Sequence, residues 1–134
     1  MAFDMHTKLL MTLSAAYLLA LGLLLTFAPQ ETLAFAHSTA SPILTLIVQA
    51  TGALYVGFAV LNYMAKDNII GGIYSRPVGL GNSAHFFIAA MAILKAVASG
   101  TRPPLLVAIG CLYALFAIWF IRVTFGNLPT QHPK

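Results

Sequence analysis

Arg76, Asn82 and His85 lie in one short stretch, Ile73 to Phe87, that otherwise reads as the start of an apolar helix. A guanidinium holds anions, a carboxamide both donates and accepts, and an imidazole can carry a proton or bind a metal. Such groups are costly inside a bilayer, so each marks either a site or a helix contact. Counting a rise of about 1.5 Å per residue from the midpoint of each apolar run puts Tyr17 and Tyr55 near mid-membrane. On the same scale His85 lies roughly 5 Å and Asn82 roughly 9 Å toward the cytoplasmic side, with Asn62 and Arg76 lower still. Tyr17, Tyr55, Asn62, Arg76, Asn82 and His85 are therefore the candidates for lining a polar pocket in the cytoplasmic half.

Each has a plainer reading. His85 has no second histidine and no carboxylate at its depth, which favours a hydrogen bond between helices over a ligand or proton relay. Asn62, Asn82 and Gln49 read as packing glue by the same logic. Arg76 has the place of an ordinary positive-inside residue, although its position before Pro77 lets it reach Asn82. Lys95 and Arg122 sit where long cationic side chains snorkel to headgroups, and Cys111 reads as an inert buried thiol.

Several chemistries lack their residues. None of Asp4, Glu31 and Asp67 falls mid-membrane, so the chain has no coupling carboxylate of the small multidrug antiporter kind. His6 and His132 lie in the tails and His37 is expected across the membrane from His85, which leaves no metal-ligand set. No Ser-x-x-Lys, H-E-x-x-H or G-x-S-x-G pattern occurs, so no catalytic residue is assigned. A single cysteine allows neither an intrachain disulfide nor a CxxC motif. No metal and no cofactor is expected.

The elements that must position these residues are legible from composition. Of 134 residues 60% are hydrophobic and 7% charged, against about a quarter charged in soluble domains, so the chain belongs in a bilayer. Four apolar runs, about 9–28, 42–64, 77–99 and 104–125, predict an all-α, integral membrane four-helix bundle running up-down-up-down as a single transmembrane domain. The first run imitates a signal peptide before Ala34-Phe35-Ala36, but its length of about 20 residues exceeds the roughly 7–15 of a signal h-region, so a retained span is expected. Pro29 stops span one and Glu31 suits a new helix start, which predicts a short interfacial segment over about 30–40. Ser41-Pro42 opens span two as N-cap and first helical residue, Arg76-Pro77 opens span three, and Arg102-Pro103-Pro104 opens span four. Gly100 and Gly126-Asn127 close spans three and four.

Helical phase groups the polar and small residues into stripes. Asn82, His85, Ala89, Ala92 and Ala96 share one face of span three. Gln49, Gly52, Val56, Ala59 and Tyr63 share one face of span two, with Tyr55 and Asn62 beside it, and Gly110, Ala114 and Ala117 share a face of span four. Small residues let membrane helices approach closely, so spans two and three are expected to pack tightly, with His85 close to Tyr55.

Lys8, Lys66, Arg76, Arg122 and Lys134 fall on one side of the spans, and Lys95 and Arg102 on the other. This asymmetry predicts cytoplasmic N and C termini. Tyr63, Tyr74 and Trp119 mark the same boundary, as interfacial aromatics do. The formal charge of +4 reflects these flanking residues and no basic face, so nucleic acid is not an expected partner.

The runs Gly22-Leu-Leu-Leu-Thr-Phe-Ala-Pro29, Gly52-Ala-Leu-Tyr-Val-Gly-Phe-Ala-Val-Leu-Asn62 and Arg76-Pro-Val-Gly-Leu-Gly-Asn82 resemble small bacterial four-span proteins of the DoxX-like type and related families of uncharacterised function. The resemblance covers most of the chain. It implies a multi-pass protein of the bacterial inner membrane, and some members serve quinone-linked oxidoreductase complexes. The expectation is thus a non-catalytic oligomeric bundle or membrane-complex subunit, with the lipid bilayer and further copies or other membrane subunits as partners. Two alternatives remain: binding or transport of a small molecule, ion, lipid or quinone through the polar pocket, and an accessory role in a quinone-linked oxidoreductase.

Overall fold

The computed structural model describes residues 2–68, 75–100 and 104–126. Ile73, Tyr74, Arg102, Pro103, Asn127, His132 and Lys134, named above, lie outside them. The described residues form five helices, α1 (Ala2–Phe27), α2 (Pro29–Phe35), α3 (Pro42–Ala65), α4 (Arg76–Ala98) and α5 (Pro104–Phe125). Four have the length and apolarity to cross a bilayer: His6–Phe27 of α1, and the whole of α3, α4 and α5. The chain is a multi-pass, helical membrane protein. Its α1 begins several residues before the apolar run, because the polar residues ahead of that run continue the same helical hydrogen bonds.

Proline sets the starts. Pro29, Pro42 and Pro77 occupy the first or second position of α2, α3 and α4, where a missing N–H costs nothing because those amides have no intrahelical acceptor. Ser41 caps α3 as expected, its Oγ accepting from the Leu44 amide at 3.2 Å. At the other end of α2 the backbone turns through His37, at φ 52°, with Ser38 N–H bonding back to the Leu33 carbonyl at 2.9 Å. That is a Schellman stop with histidine where glycine is usual. Gly100, at φ +106°, performs the same service after α4.

The chain divides into two compact units, Met11–Lys66 and Met1–Leu10 with Asp67–Lys134. In the Met11–Lys66 unit α1 and α3 run antiparallel, since Thr26 meets Gln49, Gly22 meets Gly52 and Val56, and Ser14 meets Asn62. The crossing is closest at the two glycines. A Cβ on Gly52 would stand 2.7 Å from the Thr26 nitrogen and 2.8 Å from the Gly22 carbonyl oxygen, and one on Gly22 would stand 2.9 Å from the Val56 nitrogen. Backbone atoms cannot step aside, so both positions require glycine. The small-residue stripe read on span two thus finds its partner in α1. Tyr63, placed on that stripe by spacing, is instead 56% exposed, because the buried line turns from Ala59 to Asn62.

In the other unit α4 and α5 are also antiparallel neighbours. Ile93 lies over Gly110, where a Cβ would come within 2.8 Å of its Cγ2. The buried line of α4 is Gly79, Asn82, Ser83, Phe86 and Ala90, a step round from the stripe read through Ala89, Ala92 and Ala96. Cys111 is exposed, correcting the expectation of burial. It sits about 100° round the helix from Gly110, off the face of α5 that Gly110, Tyr113 and Ala117 bury.

Two substitutions separate the tight glycine from a loose one. Gly52→Ala should lower stability by about 1–3 kcal/mol through overpacking. Gly57, where an added Cβ meets nothing of its own chain within 4 Å, should tolerate alanine in the single chain and gain up to about 1 kcal/mol from helix propensity. Reversible unfolding in mixed micelles, followed by circular dichroism, measures both.

Candidate functional site

Tyr17, Tyr55 and Asn62 belong to the Met11–Lys66 unit. Asn62 is fully buried, and its Nδ2 donates to Ser14 Oγ at 3.0 Å. The Ser14 hydroxyl in turn donates to the Met11 carbonyl at 3.1 Å, so the bond between helices is anchored on a backbone acceptor. One turn along α1 from Ser14, the Tyr17 side chain lies within electrostatic reach of Tyr55 and its hydroxyl oxygen is buried. At the opposite end of the crossing Gln49 Nε2 donates to the Thr26 carbonyl at a long 3.4 Å. The Thr26 hydroxyl oxygen is buried without a conventional partner and rests against Gly52, the arrangement of a weak Cα–H···O contact. Polar groups thus mark several levels of one helix pair.

Arg76, Asn82 and His85 all stand on α4. Asn82 is 1% exposed and its Nδ2 donates to the Val78 carbonyl at 2.9 Å. Arg76, at the first position of α4, is half-buried and makes no hydrogen bond or ion pair among the described residues. The reach from Arg76 to Asn82 allowed by their spacing is therefore not used. His85 is half-buried, with Nε2 enclosed, and its ring meets Phe86 edge-on at 5.1 Å and Tyr113 at 5.7 Å.

Phe86, which the sequence reading passed over, is the centre of this unit. Its ring is fully buried and contacts Tyr113 at 5.3 Å, Phe116 at 5.0 Å and Phe120 at 5.5 Å, the last pair nearly parallel at 12°. Aromatic pairs at such separations add to the packing energy of large rings. Close by, Ser83 Oγ donates to the Gly79 carbonyl at 2.8 Å. Its proton is thereby committed, so in the 3.5 Å contact with Thr124 the threonine is the donor. The i, i+3 and i+4 spacing of Tyr113, Phe116 and Phe120 was the available signal for this cluster.

No family model, curated protein or solved structure matches this chain. The site is accordingly read from its own groups. Among the described residues no three His, Cys, Asp or Glu side chains converge, and the arrangement offers hydrogen bonds, ring contacts and one half-buried cation. An open groove of about 550 Å³ lies between α2 and the start of α3, lined by Gln30, Ser41, Thr45 and Gln49 with Ala40, Pro42 and Leu46. None of the six candidates lines it.

A double-mutant cycle of Ser14→Ala and Asn62→Ala should show a coupling of about 0.6 kcal/mol, and at most about 1.7 kcal/mol, as membrane hydrogen bonds do. Phe86→Ala should cost about 3–5 kcal/mol. Phe87→Ala, at a side chain 51% exposed, should stay within about 0.5 kcal/mol. Unfolding titrations of the purified protein give all of these values.

Proposed function

We propose that this multi-pass membrane protein is a non-catalytic helical bundle of the bacterial inner membrane that assembles with further copies of itself or serves as a subunit of a membrane complex. The observation that carries the reading is the use of the buried amides. Asn62 bonds Ser14 across the α1–α3 pair, as interhelical glue does, and Asn82 bonds the Val78 carbonyl within α4. Assembly is supported by the outer face of α3, where Ala50, Ala53 and Gly57 are exposed between larger apolar residues. Glycine in a helix interior costs about 1 kcal/mol relative to alanine, and close approach by another helix offsets that cost. The likeness to DoxX-like proteins agrees with a subunit role, and the distribution of Lys and Arg supports cytoplasmic termini.

A second reading rests on Arg76. Its half-buried guanidinium has no acidic partner among the described residues and stands at the start of α4, where helix amides also favour negative charge. A lipid headgroup, a quinone carbonyl or a small anion would suit it.

The readings part on what mutation removes. Under the structural reading Asn82→Ala and His85→Ala lower the melting temperature in detergent, while co-purified lipid or quinone stays unchanged and the visible spectrum stays blank. Loss of a bound molecule, or a visible absorption band in the wild type, would favour the pocket or the redox-subunit reading. Gly57→Leu should shift sedimentation toward the monomer, and an unchanged distribution removes α3 as the assembly face.

A further inference from the structure

We propose that Tyr63 and Lys66, at the C-terminal end of α3, form a clamp for the phosphate of an anionic phospholipid. The two residues are three apart and share a helix face. Lys66 Nζ stands 3.7 Å from the centroid of the Tyr63 ring, a cation–π contact that fixes an otherwise flexible ammonium. The apolar span ends at Ala65, which sets the pair at the level where hydrocarbon gives way to headgroups. Tyr63 is 56% exposed, so the residue is open to the surroundings.

Charge decides the kind of lipid. Asp67, the residue next along the chain, is already engaged, its Oδ1 lying 2.7 Å from Lys8 Nζ. Among the described residues Lys66 has no carboxylate partner, and its ammonium contacts only the Tyr63 ring. An ammonium with one side on an aromatic face keeps N–H donors for phosphate oxygens, and the tyrosine hydroxyl can add another. An unneutralised cation at the interface attracts an anionic headgroup over a zwitterionic one. The occupant is therefore a bilayer lipid bound through its phosphate.

The test uses the full chain reconstituted in nanodiscs of mixed phosphatidylglycerol and phosphatidylcholine, with retained lipid counted by native mass spectrometry. Wild type should retain phosphatidylglycerol in preference. Lys66→Gln should lose about five-fold of that preference, the weight of one interfacial cation, and Lys66→Arg should keep it. Tyr63→Leu retains the charge and should lose roughly two- to five-fold through the missing ring; it also serves if Lys66→Gln fails to fold. Lys95→Gln, in the last turn of α4 and with no ring contact among the described residues, should lose less of the preference than Lys66→Gln. The proposal is overturned if Lys66→Gln or Tyr63→Leu behaves as wild type, if Lys95→Gln loses as much, or if inorganic phosphate at matched concentration displaces the lipid.

Discussion

Hydrocarbon offers a polar group no water, and that single constraint governs how this protein is put together. Backbone groups are satisfied inside helices, and polar side chains must find partners in the protein. With no hydrophobic drive between helices in lipid, packing depends on how closely backbones can approach. Gly22 and Gly52 supply that approach for α1 and α3, and the other contacts of the pair follow from it. The Asn62–Ser14 bond lies some ten residues along α3 from the glycine contact and the Gln49–Thr26 bond only a few residues the other way. A wider crossing would put both amides out of reach.

The second pair of helices solves the same problem with rings. Gly110 admits Ile93, but the bulk of the interface is the aromatic cluster around Phe86. Flat side chains pack without leaving voids, and their mutual orientation adds specificity that aliphatic side chains lack. His85 borders this cluster through ring contacts with Phe86 and Tyr113. It is accommodated as an aromatic as much as a hydrogen-bonding group.

Much of the secondary structure was legible because it rests on local chemistry. Pro42 after Ser41, Pro77 after Arg76 and Gly100 after Ser99 each act on their own few residues, and the helices start and stop beside them. Facing was harder to read. In a soluble helix polar residues mark the outside, but here both faces are apolar and that marker is gone. Phe86 and Phe87 are identical in type and adjacent, yet one is fully buried and the other half exposed. Only scattered small and polar residues report phase, so Gly52 and Asn62 were found, whereas Tyr63 and Cys111 were assigned to the wrong side. Gly22 was read only as the head of a run of leucines, because its packing role depends on what lies opposite it. The six candidate residues were legible as polar groups in a membrane. Their use depended on partners such as Ser14 and Val78 that spacing alone does not name.

The proline starts have a consequence in time. A chain entering a membrane emerges from its N-terminal end, and a helix is limited by the cost of its first turn. With φ already fixed at Pro29, Pro42, Pro77 and Pro104, part of that cost is removed by the covalent structure of each segment. A helix that begins on proline can therefore nucleate as soon as its first residues are made, without waiting for a downstream partner. Each segment after α1 thus carries, in its own covalent structure, part of what its first turn requires.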